Sequence, residues 1–392
     1  MKKPLNICII SQEYPPFTNW GGIATYYKEL SEAFCRLGHS VTIISRKSEM
    51  APYFDQPFER LKVFRVGVPM NRKYFVGRTI DKLLHARDVY AKIISLDKIE
   101  QFDIIETPEV FLEGNFLINN QYFRQKLSIE CHGSNSVGVI PDGIFPFLHQ
   151  IDYSWSYKIE KNILKKADRI TTPSRIGKEN LIINGIKKNI HVIYHGVDIN
   201  RFKPAANHLP TKYLEVGFVG KLQNMKGLDF VWAVIKKLEY HKGIRFHLIG
   251  EIHPSEKDNF QNMIKKYKNS VEYHSFIELE KMAKMYQSLN VLLRPSRFEQ
   301  FGIVYAEAMA CGLIVFAGKK GGGSEIIKNN LSGFLVDPDN DIGFVVSKLK
   351  ELANDLDQFD KMKILARETA EKRFSINASA SNKIKYYYKE LG

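Results

Sequence analysis

Apolar positions along the chain follow two alternating rhythms. Short unbroken runs such as Leu5 to Ile10 predict buried strands, and stretches with an apolar residue every three or four positions predict amphipathic helices. Near the amino terminus this gives a strand over Leu5–Ser11, a loop through Trp20-Gly21-Gly22, and a helix with Ile23, Tyr26, Leu30, Phe34 and Leu37 on one face. Gly38 stops that helix and a second strand runs over Ser40–Ser45. The plan recurs in the second half: Leu214–Gly220 reads as a strand, Lys221–Gly227 as a turn, Leu228–Leu238 as a helix and Phe246–Gly250 as a strand. No period of about 20–50 residues runs through either half, which excludes solenoids. The class is α/β, with two parallel-sheet domains each opened by its own strand–turn–helix.

Pro204, Ala205, Ala206, Asn207 and Pro210 interrupt both rhythms between Phe202 and Lys212, and the domain boundary is expected there. The predicted domains are residues 1–207 and 208–374, followed by a terminal helix over 375–392 with Ser375 as its cap. A chain of 392 residues exceeds what one core usually organises, which agrees with this division. In open α/β sheets ligands lie beyond the carboxyl ends of the strands, so chemistry belongs in the turns that follow strands.

Composition adds that the chain is an ordinary globular one, 44% hydrophobic and 26% charged, which argues against extended disorder. Its net charge is +14, and residues 60–98 hold ten Lys/Arg against three Asp/Glu, so the surplus is local. No nucleic-acid module accompanies that charge, and nucleic acid is not an expected partner. Residues 60–98 instead suggest a basic amphipathic face, with Ile80, Leu83, Leu84, Val89 and Ile93 on one side, flanked by Arg72, Lys73, Arg78, Lys82, Arg87 and Lys92. Two accounts are open for it: peripheral contact with anionic lipid, or a plain soluble helix. Cys8, Cys35, Cys131 and Cys311 form no Cys-x-x-Cys pair, a spacing that suits reduced thiols and a cytoplasmic location. The run Leu5 to Ile10 is too short for a secretory signal, and no stretch approaches the roughly 18 apolar residues of a membrane helix.

The densest set of polar groups lies between Arg294 and Gly312, where a strand over Asn290–Leu293 feeds a polar loop and then a helix beginning near Gly302. Glu299 precedes that helix and Glu307 lies within it, eight positions on. Glu307 stands among Val304, Ala306, Ala308 and Met309, a nearly apolar helix in which a carboxylate suits sugar hydroxyls better than open water. A second set, Gly220-Lys221-Leu222-Gln223-Asn224-Met225-Lys226-Gly227, places two lysines on a strand-to-helix turn. A solvated surface turn is one reading of it. The other pairs Lys221 and Lys226 with the amides of Phe301, Gly302 and Ile303 at the positive end of a helix, an arrangement that grips a pyrophosphate without a divalent metal. Asp337-Pro338-Asp339-Asn340-Asp341 has the oxygens of a metal site, but its proline leads into a helix over Ile342–Leu352 with Asp341 as cap, and no metal is expected.

Taken in order, the Gly21-Gly22 loop, the Gly-Lys-Leu-x3-Lys-Gly turn, the Glu-x7-Glu block, and Gly321-Gly322-Gly323-Ser324-Glu325 followed by Gly333-Phe334-Leu335-Val336 resemble family 4 of the retaining glycosyltransferases. The likeness spans Leu5 to Asp337. It implies the GT-B architecture: two Rossmann-like domains facing across a cleft, an acceptor held mainly by the first, a nucleoside-diphosphate sugar mainly by the second, and a terminal helix returning to the first. Carried over, Lys221 and Lys226 bind the donor diphosphate with Gly22 near it. Glu307 accepts from the ribose and Glu299 from the transferred sugar. Backbone at Phe276-Ile277 meets the base, and His132, in Glu130-Cys131-His132-Gly133, faces the donor sugar. Lys221 departs from the arginine more usual in the family and loses its bidentate fork.

The implied activity is a retaining, hexosyltransferase-type reaction, moving a sugar from a nucleoside-diphosphate donor to a hydroxyl of a glycan or lipid-linked glycan, as in polysaccharide or glycoconjugate synthesis. No cofactor beyond the donor co-substrate is expected. No general base is assigned, since a front-face reaction asks the protein for positioning and charge. A nucleotide-sugar 2-epimerase of the same architecture and a non-catalytic sugar-nucleotide sensor are the alternatives.

Overall fold

The computed structural model describes residues 3–17, 21–69, 78–133, 146–206, 212–275 and 277–392. The chain divides into two compact units, one of residues 1–194 together with 376–392 and the other of 195–375. The break expected between Phe202 and Lys212 therefore falls within the second unit, and its residues 207–211 lie outside the described ones.

The first unit contains β1 (Asn6–Ile10), β2 (Ser40–Arg46), β3 (Phe54–Phe58), β4 (Leu61–Val66), β5 (Ile104–Pro108), β6 (Leu127–Glu130), β7 (Arg169–Thr172) and β8 (Ile190–Val192). They form one sheet in the order β3-β4-β2-β1-β5-β6-β7-β8, parallel except where β3 pairs with β4. The central strands β1, β2, β5 and β6 are buried on both faces because helices cover both, whereas edge strand β3 is exposed. On one side Tyr26, Leu30 and Phe34 of helix Gly22–Arg36 pack with Ile376, Ala380 and Tyr387 of helix Ile376–Leu391. On the other, Val89 and Ile93 of helix Arg78–Glu100 pack with Ile10, Ile105 and Ile129.

Two sequence expectations change here. Leu37 leaves the apolar face, being 45% exposed, because the helix ends at Arg36 and Gly38 turns the chain at φ +90°. The apolar set on helix Arg78–Glu100 does not share one side: Val89 and Ile93 enter the core, whereas Ile80 and Leu84 are half exposed. Several nearby cations are also occupied, Arg46 by Asp81, Arg65 by Asp55 and Lys62 by Glu100. Arg72 and Lys73 lie outside the described residues.

The second unit contains β9 (Leu214–Val219), β10 (Ile244–Ile249), β11 (Val271–His274), β12 (Val291–Arg294), β13 (Ile314–Gly318) and β14 (Phe334–Val336). All neighbours are parallel, in the order β11-β10-β9-β12-β13-β14. This is the doubly wound Rossmann order, which reverses direction between β9 and β12. Its core joins Val216, Phe218, Phe246 and Leu248 to Val231 and Ile235 of helix Leu228–Lys237 and to Val345 and Leu349 of helix Ile342–Asn354. The first sheet reverses in the same way between β1 and β5. Each unit therefore has a switch point, and the loops leaving the strands that flank it are where a ligand is received.

Candidate active site

In the second unit those loops are Gly220–Gly227 after β9 and Pro295–Gly302 after β12. The apolar run Val291–Leu293 ends in Arg294, whose side chain is only 7% exposed. Glu299 Oε1 accepts from Arg294 Nη2 at 2.7 Å and from Lys226 Nζ at 2.8 Å, with Ser296 Oγ at 3.4 Å. Burial alone would raise the Glu299 pKa, but Arg294 and then Lys226 outweigh it and hold the carboxyl below its ordinary range. Burial lowers the Lys226 pKa, and Glu299 pulls it back. The structure thus brings Lys226 and Glu299 into direct contact and adds a second cation on the same carboxylate oxygen, Arg294, a residue to which sequence reasoning gives no role. The signal available for it was a lone cation closing an apolar strand.

Lys221 is exposed on the same turn and has no partner among the described residues. Gly302 caps helix Ile303–Ala310 in the left-handed region at φ +88°, where a Cβ would come within 2.5 Å of the Tyr305 ring. The Tyr305 hydroxyl donates to the Arg294 carbonyl at 2.9 Å, which ties that helix to the end of β12. The first amides of such a helix have no partner inside it and point out of its start. Phe301 itself is 3% exposed, edge-on to His195 and Phe374, so its ring packs inside the unit. The glycine run expected to matter packs against this loop, since a Cβ on Gly321 or Gly322 would strike the carbonyl of Glu299 or Phe301.

Glu307 is 8% exposed and accepts the Tyr286 hydroxyl at 2.7 Å. Burial raises its pKa, opposed by that hydrogen bond and by the charges of Arg294 and Arg201. Ile277 lies half buried in the loop after β11, and Phe276 is outside the described residues. In the acidic turn, Asp337 is paired with Lys319 at 2.7 Å, and Asp341 departs from its expected capping role. Its carboxylate accepts from the Asp337 amide at 2.7 Å and from no amide of the helix it precedes.

In the first unit, helix Gly22–Arg36 starts after β1, and a Cβ on exposed Gly22 would meet nothing within 4 Å among the described residues. His132 follows β6. Its ring Nε2 lies 3.2 Å from the Tyr27 hydroxyl, and its side chain is 5% exposed. The turn is fixed by Glu109, at the end of β5, whose two carboxylate oxygens accept the His132 and Gly133 amides at 3.0 Å each. Sequence reasoning misses Glu109, and also a buried group beneath it. Lys383 of the terminal helix bonds Glu106 of β5 at 2.8 Å and Glu130 of β6, and Tyr387 also donates to Glu106. The signal was one carboxylate in each of two strands with no other charged residue, which demands a cation from elsewhere.

Comparison with known proteins bears on the family and the fold. The family described as Glycosyltransferase Family 4 matches residues 20–201, and Glycosyl transferases group 1 matches residues 200–369. An uncharacterised glycosyltransferase of Methanocaldococcus jannaschii is 25% identical over 356 residues, 86% of each chain. Among solved structures, a sucrose-phosphate synthase from Thermosynechococcus elongatus superposes with a TM-score of 0.81 at 20% identity, over 98% of both chains. The Anabaena protein HepE, solved in complex with UDP and glucose, gives 0.70 at 18% identity over 98% of this chain and 100% of its own. With both family profiles laid end to end over 20–369 and two Rossmann-like sheets beneath them, this chain belongs to the family 4 glycosyltransferases and has the GT-B fold.

Proposed function

We propose that the protein is a retaining hexosyltransferase that moves a sugar from a nucleoside-diphosphate donor to a hydroxyl of a glycan or lipid-linked glycan. The observation that carries the reading is the partly buried cluster at the second unit's switch point. Two cations converge on Glu299 there, and one of them, Lys226, stands on the turn where a diphosphate is received. Lys226, Lys221 and the amides of Gly302 and Ile303 neutralise the diphosphate and stabilise it as it departs, worth several kcal/mol in a site that needs no reorganisation. Arg294 keeps Glu299 ionised, so Glu299 accepts from hydroxyls of the transferred sugar, while Glu307 takes the ribose with the oxygen that Tyr286 leaves unused. In the first unit, Glu109 fixes the backbone of the His132 turn.

Fixed cations perform the charge work here, so chelation leaves turnover intact. The reading is tested by thermal-shift measurement against a panel of nucleoside-diphosphate sugars, followed by NMR of the product. A stabilising donor and a product of unchanged anomeric configuration support it. Inversion, or epimerised donor in the absence of acceptor, would replace it.

A further inference from the structure

The second sheet carries polar side chains on one face at its β11 edge. In the register of the sheet, Glu215 of β9, His247 of β10, and Glu272 and His274 of β11 share that face, while Val216, Phe246, Leu248 and Val271 point into the core. The two imidazoles lie nearly parallel, 21° apart, with His247 Nδ1 3.1 Å from His274 Nε2. Glu272 Oε2 lies 3.8 Å from each of these nitrogens. Behind them, Glu215 Oε2 sits 2.8 Å from His247 Nε2, which as the carboxylate's donor must carry the proton. A neutral His247 therefore turns the lone pair of Nδ1 toward His274 and Glu272.

We propose that His247 Nδ1, His274 Nε2 and Glu272 Oε2 form a binding site for one divalent transition-metal ion, Zn2+ by ligand type, with Glu215 as the carboxylate that orients His247. Ligands at about 2.0–2.1 Å around a tetrahedral ion stand about 3.4 Å from one another, and the three ligand atoms are spaced at 3.1, 3.8 and 3.8 Å. Two imidazoles and one carboxylate are the donors that zinc takes when a fourth position is left to water. Glu272 is 54% exposed and His274 29%, so the ion enters from solvent. On binding it replaces the proton between the two rings, and His274 stays neutral with its proton on Nδ1. The ion ties edge strand β11 to β10. The site uses none of the residues placed in sugar transfer and does not depend on that reading.

The test is Co2+ and Zn2+ titration of the full chain after treatment with a chelator. The expected result is visible d–d absorption from one Co2+ per chain, bleached by Zn2+, and a rise in Tm with Zn2+. His274→Ala and Glu272→Gln abolish the absorption, and Glu215→Gln weakens Zn2+ binding by about 10–100-fold. Glu272 is at the exposed edge, so its variant decides the matter even if His274→Ala fails to fold. Absence of the Co2+ spectrum in the wild type, or its survival in Glu272→Gln, overturns the proposal.

Discussion

Lys226 and Glu299, separated by 73 positions in sequence, meet with Nζ 2.8 Å from Oε1, and the contact joins the two turns that flank the second sheet's switch point. Because Arg294 holds the same carboxylate oxygen at 2.7 Å, two cations share one carboxylate, and the cluster keeps a net positive charge beside the position proposed for the diphosphate. That surplus is what a departing nucleoside diphosphate needs.

Replacing Lys226 by alanine removes a cation while Glu299 keeps Arg294 and Ser296. Turnover in the Lys226→Ala protein should fall by about 10²-fold or more, the usual scale for one lost transition-state charge contact. Steady-state kinetics with the donor found by thermal shift checks this, and near-wild-type kcat would remove Lys226 from the phosphate site.

Gly302 opens helix Ile303–Ala310 at φ +88°. An alanine there costs about 1–2 kcal/mol for the left-handed backbone and places its methyl 2.5 Å from Tyr305 ring carbons. The helix start must then move, and the amides proposed for the diphosphate move with it. Gly302→Ala should lower Tm and raise the donor Kd together. A variant with lower Tm and unaltered Kd would show that these amides do not touch the donor.

Glu307 has a pKa raised above its ordinary value of 4.5, first by burial, with the Tyr286 hydroxyl pulling it down. Tyr286→Phe removes that pull, so Glu307 takes its proton at a higher pH. A protonated carboxyl is the poorer acceptor for ribose hydroxyls, and the acid limb of kcat/KM for the donor should therefore shift toward neutral. A pH profile superimposable on the wild type would separate Glu307 from donor binding.

Much of this was legible in the sequence for physical reasons. Buried parallel strands read as short, mainly apolar runs, which is why the strands expected over Leu5–Ser11, Ser40–Ser45 and Leu214–Gly220 coincide to within a residue or two with β1, β2 and β9. Lys226, Glu299 and Gly302 stood out because turns after strands concentrate polar groups and glycines. Contacts across many strands leave no local trace: Lys383 lies 253 positions from Glu130 and 277 from Glu106, and Arg294 differs from any strand-end arginine only once Lys226 and Glu299 are beside it. The same holds for Asp341, whose spacing suggested a cap while its carboxylate turned back to Asp337.

The group formed by Lys383, Glu106 and Glu130 is fully enclosed, with no exposed side chain among the three. Removing one member of a buried ionic group leaves uncompensated charge, a loss of about 3–5 kcal/mol. Lys383→Met should therefore lower the urea midpoint sharply at mildly alkaline pH. Burial already raises the Glu106 pKa in the wild type, with Lys383 pulling it down and the Glu130 charge pushing it up, so the variant raises it further. Between the unfolded and folded pKa values the folded state then binds more protons than the unfolded chain, and stability falls as pH rises through that window. The deficit of Lys383→Met relative to wild type should shrink at mildly acidic pH, where Glu106 is protonated in the folded variant. Adding Glu106→Gln and Glu130→Gln should recover most of the loss at alkaline pH. A deficit that is independent of pH and survives both glutamine substitutions would mean that Lys383 acts by packing alone.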